Sequence, residues 1–229
     1  MVIAGAFLFG VYKSLSFAIT QVVSFFNQSD EVIHAQENIE KTKEIIGTVI
    51  LDPGHGGVDA GAKKGTLYEK DIDLKVAKMI QEELENNGIK VIMTRETDET
   101  LDPNNKISDL KQRAGMSEKY QADYFVSIHV NAFEDSDDVS GFEIYTKNDA
   151  SQELAKGIAS YMEALNLSKN RGIIDGKHLQ VLRDNTVASV LIELGYINGK
   201  DYDYLSNDIG LEKLSKAISE GIIKTVENK

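Results

Sequence analysis

Short apolar runs and amphipathic stretches alternate along the chain from Thr48 onward. Apolar runs that end in glycine or polar residues are typical of strands buried on both faces, and apolar residues at every third or fourth position are typical of helices. This alternation favours an α/β fold with a largely parallel sheet covered by helices on both faces. The predicted strands are residues 48–51, 89–94, 124–129, 141–146, 179–182 and 190–192, and the later helices are predicted at 110–120, 152–165 and 211–226.

The first predicted helix has the clearest helical period. Its apolar stripe consists of Ile72, Val76, Ile80 and Leu84. Asp71 is suited to the N-cap and Gly88 to the C-terminal end. We therefore expect a helix between Asp71 and Gly88, after the first strand and a polar loop.

The first 26 residues differ in composition from the rest of the chain. Residues 2–12 are an apolar stretch, Lys13 interrupts it, and residues 15–26 are again mostly apolar. This length is enough to span a bilayer, although a lysine near mid-span is costly there. A cleaved signal peptide is the competing interpretation, since residues 33–35 end in a small residue. No Lys or Arg precedes the apolar run, so an uncleaved export anchor that holds the protein at a membrane is favoured.

These shifts in composition divide the chain into three segments. Residues 1–26 are the predicted signal or transmembrane anchor, 27–46 a polar linker, and 47–229 a single α/β domain. A chain of 229 residues that is 41% hydrophobic can bury one full core.

Charge and cysteine content exclude several functions. The formal net charge of -12 argues against nucleic acid or an anionic membrane surface as a partner recognised by charge. The chain has no cysteine. Disulfides, thiolate ligands and a cysteine nucleophile are therefore excluded, and any metal site must use histidine and carboxylate side chains.

Polar side chains suited to metal or acid–base chemistry follow three of the predicted strands. His55 follows the first in a glycine-rich turn, His129 closes the third, and Glu193 closes the last. The carboxyl ends of strands in an open α/β sheet meet at one edge, where active sites form. With Glu69, these residues make two imidazoles and two carboxylates. Two histidines and one glutamate fit a catalytic zinc with an open position, which leaves the other glutamate as acid or base.

Each candidate also has an ordinary structural interpretation. A lone histidine at a strand end is more often a hydrogen-bonded structural residue than a metal ligand. Glu69 would by default be a glutamate in the first turn of a helix, where its charge interacts favourably with the helix dipole. The turn at 54–57 could also cradle a phosphate, but no P-loop lysine follows and no GxGxxG is complete. Glu193 is the strongest anomaly, because a carboxylate directly after buried aliphatic residues must be paired, metal-associated or carry a raised pKa.

These residues belong to a set of motifs that resembles one known family. The motifs are Ile50-Leu51-Asp52-Pro53-Gly54-His55-Gly56-Gly57, Tyr68-Glu69-Lys70-Asp71, Met93-Thr94-Arg95, Gln112-Arg113-Ala114, Ser127-Ile128-His129-Val130-Asn131-Ala132 and Glu193-Leu194-Gly195-Tyr196. Together they are highly specific, although any one alone would not be. Over about residues 48–226 the chain resembles the zinc-dependent N-acetylmuramoyl-L-alanine amidases (amidase type 3). These enzymes cleave the amide that joins the lactyl group of muramic acid to the first L-alanine of the peptidoglycan stem peptide.

The resemblance implies a fold and a role for each candidate. It implies a twisted six-stranded sheet flanked by helices, with 47–229 as the catalytic domain and peptidoglycan as the substrate. It further implies that Zn²⁺ is the cofactor, that His55, Glu69 and His129 are its ligands, and that Glu193 is the catalytic acid/base.

A few positions depart from the family pattern. Asp73 stands where relatives often carry Asn, Ala188-Ser189 where Pro-Ala is common, and Gly199 where an Asn usually closes the loop after the glutamate. None of them is a predicted ligand or acid–base residue. The departures therefore bear on substrate positioning and not on the chemistry.

Other charged residues are expected to be structural. Arg95, Arg113 and Arg183 could hold stem-peptide carboxylates or form structural ion pairs, and the second interpretation is favoured. His178 precedes an apolar run and is expected to be non-catalytic.

An apolar leader followed by this domain resembles the sporulation-specific, CwlD-like branch of the family. That branch prepares spore cortex for muramic-δ-lactam formation and germination. The expected location is outside the cytoplasm, either membrane-anchored or secreted to the cell wall, and in a sporulating cell between the forespore membranes. Because a free wall amidase endangers its own cell, we also expect control by an activating protein partner or by metal occupancy.

Two other functions remain open at the level of sequence. A zinc peptidase that cuts within the stem peptide could use the same His-Glu-His site. A non-catalytic wall-binding or regulatory module could use the same fold, although the presence of all four site residues disfavours it.

Overall fold

Six strands form one sheet in the computed structural model, which describes residues 44–229. The strands in chain order are β1 (Gly47–Pro53), β2 (Lys63–Lys64), β3 (Leu67–Tyr68), β4 (Ile89–Met93), β5 (Tyr124–Asn131), β6 (Phe142–Thr146), β7 (Asn170–Asp175) and β8 (Ala188–Tyr196). The sheet order is β4-β1-β5-β8-β6-β7, and β2 pairs separately with β3. Strands β4, β1, β5 and β8 are parallel, whereas β6 runs antiparallel to β8 and parallel to β7. The predicted six-stranded, mostly parallel sheet is confirmed.

Helices cover both faces of this sheet. They are α1 (Glu69–Asn86), α2 (Lys106–Lys119), α3 (Gln152–Ala164), α4 (Gln180–Arg183), α5 (Tyr202–Leu205) and α6 (Asp208–Glu227), with a short 3-10 helix at Asp149–Ser151. One apolar core lies between the sheet and α1, α3 and α6, and the second lies under α2 and α4.

Strand β1 shows why an uninterrupted apolar run becomes a central strand. Val49 and Leu51 belong to the core under α1, α3 and α6, whereas Ile50 belongs to the core on the opposite face. All three are fully buried. Side chains alternate between the two faces of a strand, so a strand covered on both sides needs apolar residues at consecutive positions.

Helix α1 begins three residues earlier than the sequence predicts. Tyr68, not Asp71, holds the N-cap position, and it makes no side-chain cap. The loop before the helix caps it instead, because the backbone N–H of Glu69 donates to the carbonyl of Ala62 at 2.8 Å. Glu69 is therefore the first helical residue, and its carboxylate turns into the protein, where it is 5% exposed.

The segment predicted as a strand at 179–182 is helical, and the strand prediction is wrong there. The backbone N–H groups of Leu182 and Arg183 both donate to the carbonyl of Leu179. A short apolar run has no period that separates a buried strand from one helical turn. The sixth strand of the sheet is instead β7, which pairs with β6 at the edge. The apolar pattern does not reveal β7 because this strand is half exposed.

The predicted anchor and most of the linker lie outside residues 44–229 and stay predictions. Within this described range, no helix is both long enough and apolar enough to cross a bilayer.

Candidate metal and acid–base site

The turn after β1 holds His55 in a rare backbone conformation. His55 has φ +57°, and Gly56 and Gly57 follow with φ +124° and +55°. The left-handed region costs a non-glycine residue about 1–3 kcal/mol, so the surrounding structure must enforce it. The glycines let the chain turn back while the imidazole stays at the carboxyl end of the strand.

Two buried guanidinium groups enforce this turn. Arg113 is 2% exposed and donates to the carbonyls of Pro53 and His55 at 2.8 and 2.7 Å. Arg95, also 2% exposed, donates to the carbonyls of Pro53 and Gly54 at 3.0 and 2.7 Å. Arg113 is also paired with the buried carboxylate of Asp52 at 2.9 Å. These arginines shape the loop, as the structural interpretation predicts.

Arg183 and His178 lie apart from this arrangement. Arg183 is exposed and pairs with Asp184 at 3.0 Å. The ring of His178 packs edge-on against Tyr145, with their centroids 6.2 Å apart. Neither residue belongs to the cluster of candidate ligands.

Glu69 lies at the centre of the candidate site. Its Oε2 accepts the backbone N–H of Ala62 at 2.7 Å, and its Oε1 accepts that of Val130 at 3.0 Å. The same Oε1 is 3.1 Å from Nε2 of His55 and 3.0 Å from Nδ1 of His129. Burial by itself would raise the pKa of Glu69, but the interactions with the two histidines outweigh it and hold the pKa well below its usual range.

His129 comes from β5 and meets His55 across the site. The two ring centroids are 4.9 Å apart, and the planes are inclined at 76°. Gly54 makes this approach possible, because a Cβ on that residue would lie 2.3 Å from Cε1 of His129. Any larger residue at position 54 would displace the imidazole.

Three donor atoms therefore converge from three elements: Nε2 of His55 after β1, Oε1 of Glu69 at the start of α1, and Nδ1 of His129 in β5. Zinc bonds of about 2.0–2.2 Å place tetrahedral ligands about 3.3 Å apart, close to the spacings seen here. His55, Glu69, Asp73 and His129 offer ligand atoms that all lie within 4.8 Å of one another. This arrangement fits a divalent ion bound by two imidazoles and one carboxylate.

Glu193 lies beside this cluster and not within it. It is the register partner of His129 on the neighbouring strand β8. Its buried Oε2 has no hydrogen-bond partner among the described residues. Burial first, and then the charges of Glu69 and Glu143, raise its pKa well above the usual glutamate value. The site thus contains a carboxylate that readily takes up a proton. Strands β5 and β8 run on past His129 and Glu193, so these residues do not close their strands as the sequence predicts.

Glu143 belongs to the surroundings of the site, although the sequence pattern does not reveal it. Glu143 lies in β6 as the antiparallel register partner of Glu193. Its carboxylate accepts from Arg171 at 2.5 Å, from the Tyr145 hydroxyl at 2.7 Å and from the Tyr196 hydroxyl at 3.0 Å. Burial and the hydrogen bond to Glu143 raise the pKa of Tyr196 to about 12. These donors keep Glu143 ionised next to Glu193.

The sequence marks Asp73 only as a departure from the family pattern that bears on substrate positioning, but the structure places it in the group of candidate ligands. It lies one helical turn after Glu69 and is completely buried. Neither carboxylate oxygen has a hydrogen-bond partner in the described part of the chain. Burial, then the charges of Glu69 and Glu193, raise its pKa well above the usual aspartate value.

A cleft of about 490 Å³ opens beside His55 and His129. Apolar side chains line part of it, among them Leu110, Leu179, Val181 and Leu191. Asp59, Lys106 and Gln180 add polar groups to the same cleft. Apolar walls with a few polar groups are typical of a ligand-binding cleft.

The fold and these side chains define an α/β protein with a candidate catalytic metal centre at the carboxyl ends of β1, β5 and β8. The model of one family, described as N-acetylmuramoyl-L-alanine amidase, matches residues 49–224. The chain belongs to the N-acetylmuramoyl-L-alanine amidase family.

Individual relatives agree with this assignment. The chain is 37% identical over 179 residues to the probable cell wall amidase LytH of Staphylococcus aureus, an alignment that covers 76% of this chain and 57% of LytH. The chain thus spans little more than half the length of this relative. Its structure is similar to that of the amidase AmiC2 of Nostoc punctiforme, with TM-score 0.74, 33% identity and coverage of 80% and 99% of the two chains. It is equally similar to the CwlD amidase of Clostridioides difficile, solved in complex with the GerS lipoprotein, with TM-score 0.74, 34% identity and coverage of 80% and 100%.

Proposed function

We propose that this protein is a zinc-dependent hydrolase that cleaves the amide between the lactyl group of N-acetylmuramic acid and L-alanine in peptidoglycan. The observation that carries the proposal is the convergence of His55, Glu69 and His129 around one point, with Glu193 beside it in β8. Family membership supports the substrate, and the donor set supports the metal.

The chemistry divides between the metal ligands and Glu193. His55, Glu69 and His129 would hold the ion and leave a position open. When bound there, zinc supplies a Lewis acid that polarises the carbonyl and lowers the pKa of a water molecule from ~15.7 toward ~7. The remaining steps depend on the side chains of the protein.

Glu193 would take the proton from the attacking water and deliver it to the leaving nitrogen of L-alanine. An amine leaves poorly without that proton, so this transfer is essential. The burial of Glu193 and the nearby carboxylates favour its protonated form, which suits the delivery step. A cation at the neighbouring ligands would offset that effect and favour the ionised form needed for the first step.

Product analysis tests the proposal directly. Purified muropeptides are treated with the zinc-loaded full-length chain and analysed by mass spectrometry, with Glu193→Gln as the inactive control. We expect a free lactyl carboxylate and a free L-alanine amine. A cut between two amino acids would instead identify a zinc peptidase, and a zinc-loaded chain without turnover on any wall substrate would indicate a binding module.

We extend the proposal to export and to the spore cortex. The relative LytH is a probable cell wall amidase, which supports action outside the cytoplasm. The resemblance of the sequence to the sporulation-specific branch, together with the structural similarity to CwlD, supports a role in sporulation. The predicted anchor at 1–26 would hold the domain at a membrane. Digestion of vegetative and cortex peptidoglycan side by side tests the cortex role, since a cortex enzyme should prefer cortex material.

We also propose that a protein partner controls the activity. The CwlD relative was solved with a lipoprotein, which supports such control. The test compares the activity of the purified chain alone with its activity in an extract of cells that express it. Equal activity would contradict the proposal.

A further inference from the structure

Asp59 contacts the imidazole ring of His55 on the side that faces away from the candidate metal position. Its Oδ1 lies 3.0 Å from Nδ1 of His55. The other ring nitrogen of His55, Nε2, is the one that faces Glu69. His55 is therefore positioned between two carboxylates, one on the side of the predicted ion and one behind the ring.

The position of Asp59 is fixed by several contacts. Its backbone N–H and C=O form a reciprocal pair with Gly56, at 3.0 and 2.9 Å. Its Oδ1 accepts the backbone N–H of Gly61 at 3.3 Å, and its Oδ2 accepts from Lys106 at 3.0 Å. The carboxylate is thus held toward His55 by groups on both sides of the loop.

A carboxylate behind a ligand histidine has a defined effect on metal binding. A neutral imidazole bears its proton on one nitrogen and a lone pair on the other, and the hydrogen bond at one nitrogen sets which is free to bind metal. An acceptor at Nδ1 keeps the proton there, leaves Nε2 bare toward the ion and raises its basicity.

We propose that Asp59 is a positioning residue that fixes the tautomer and the ring orientation of His55 for metal binding. The inference rests on the proposed zinc site. Among residues 44–229, Nδ1 of His55 has no aligned hydrogen bond, so its 3.0 Å contact with Asp59 is bent. Contacts of this kind often straighten when a site receives its ligand.

The competing role for Asp59 is support of the loop alone, and Asp98 provides the matched control. Asp98 accepts the backbone N–H of Gly57 at 2.7 Å and the Lys70 ammonium at 2.7 Å. It therefore supports the same turn without touching His55. Loss of loop support should affect Asp98→Asn and Asp59 variants alike, whereas loss of the imidazole contact should affect Asp59 variants only.

The experiment measures zinc affinity by competition with a chelator in the full-length protein. We expect Asp59→Ala to bind zinc about 10–100-fold more weakly than the parent chain. Asp59→Asn should lose less, because its amide oxygen can still accept from Nδ1, and Asp98→Asn should stay within about threefold. Parent-like affinity in Asp59→Ala, or an equal loss in Asp98→Asn, would overturn the proposal.

A second measurement is independent of variants and of substrate. In the zinc-loaded parent protein, ¹⁵N NMR of the His55 ring should show the proton on Nδ1 and the metal on Nε2. Metal on Nδ1 would overturn the proposal even if the Asp59 variants failed to fold. Since neither measurement uses hydrolysis, failure of this inference is distinguishable from failure of the proposed amidase activity.

Discussion

His129 and Glu193 are register partners on the adjacent parallel strands β5 and β8. Partner residues in neighbouring strands project on the same side of a sheet, about 4.8 Å apart along the hydrogen-bonding direction. The sheet itself therefore places a candidate metal ligand beside a carboxylate that lacks a hydrogen-bond partner at Oε2 among the described residues. Rigid strands hold such pairs more accurately than loops do.

Replacement of Glu193 by glutamine should separate metal binding from catalysis. The change removes the proton-transfer group but none of the three proposed ligands. Turnover should fall by about two orders of magnitude or more, which is typical of a general acid/base. Steady-state kinetics and metal analysis of the same sample check this, and a fully active variant would remove Glu193 from the mechanism.

Replacement of His129 by alanine should abolish both zinc binding and activity. The variant lacks one of the three converging donors, so the remaining two cannot complete the site. His178→Ala is the matched control, because His178 lies outside the cluster, and it should retain stoichiometric zinc. Stoichiometric zinc in His129→Ala would contradict the ligand assignment.

On acidification, zinc affinity should begin to fall at a higher pH than it would if His55 had the usual histidine pKa. Burial lowers the pKa of His55, but its contacts with Glu69 and Asp59 outweigh burial and raise the pKa above 6.5 in the metal-free protein. Zinc must then displace a proton as soon as the pH falls toward that raised pKa. Chelator competition between pH 8 and pH 6 measures the effect, and an affinity that is flat down to pH 6.5 would oppose it.

Asp73→Asn should stabilise the metal-free protein at neutral pH. The pKa of Asp73 is raised in the folded protein above its unfolded value of 3.8. Its contribution to the free energy of unfolding is therefore fully present below pH 3.8 and is lost as the pH rises toward the folded-state pKa. Asparagine does not ionise and so avoids this loss, which should add about 1 kcal/mol at pH 7, or about 2–4 °C in Tm. The gain should shrink at pH 5. Thermal melts in the presence of a chelator test this, and a variant that is less stable at pH 7 than at pH 5 relative to the parent would contradict it.

Arg113→Met should destabilise the domain strongly. The change leaves the buried Asp52 carboxylate without its paired cation. It also removes the guanidinium donor from the His55 carbonyl and leaves the Pro53 carbonyl with Arg95 alone. Loss of one partner of a buried pair costs about 3–5 kcal/mol. Arg183→Met, at an exposed pair, should change the free energy of unfolding by no more than about 0.5 kcal/mol. Urea unfolding of both variants compares them, and equal stabilities would refute the structural role of Arg113.

The sequence predicts the central part of the sheet well, and physical reasons explain where it does not. β1 and β5 are apolar runs that must be buried on both faces, so their pattern is distinctive. β7 is a half-exposed edge strand, and the run at 179–182 is too short for its period to be read. In both places tertiary contacts decide the structure, and the local pattern does not record them.

The same distinction applies to the candidate site. His55, His129 and Glu193 could be identified because a polar residue beside a buried apolar run is unusual. Asp59 and Glu143 look like ordinary surface acids in sequence. Their importance comes from a turn that folds back on His55 and from the antiparallel pairing of β6 with β8.

Anomalous diffraction at the zinc edge, from crystals grown with zinc, tests the central claim most directly. We predict one peak about 2.0–2.2 Å from Nε2 of His55, Nδ1 of His129 and a carboxylate oxygen of Glu69, with Glu193 beside the ion but not bound to it. A peak at other residues, or the absence of any peak at this cluster under saturating zinc, would contradict the account.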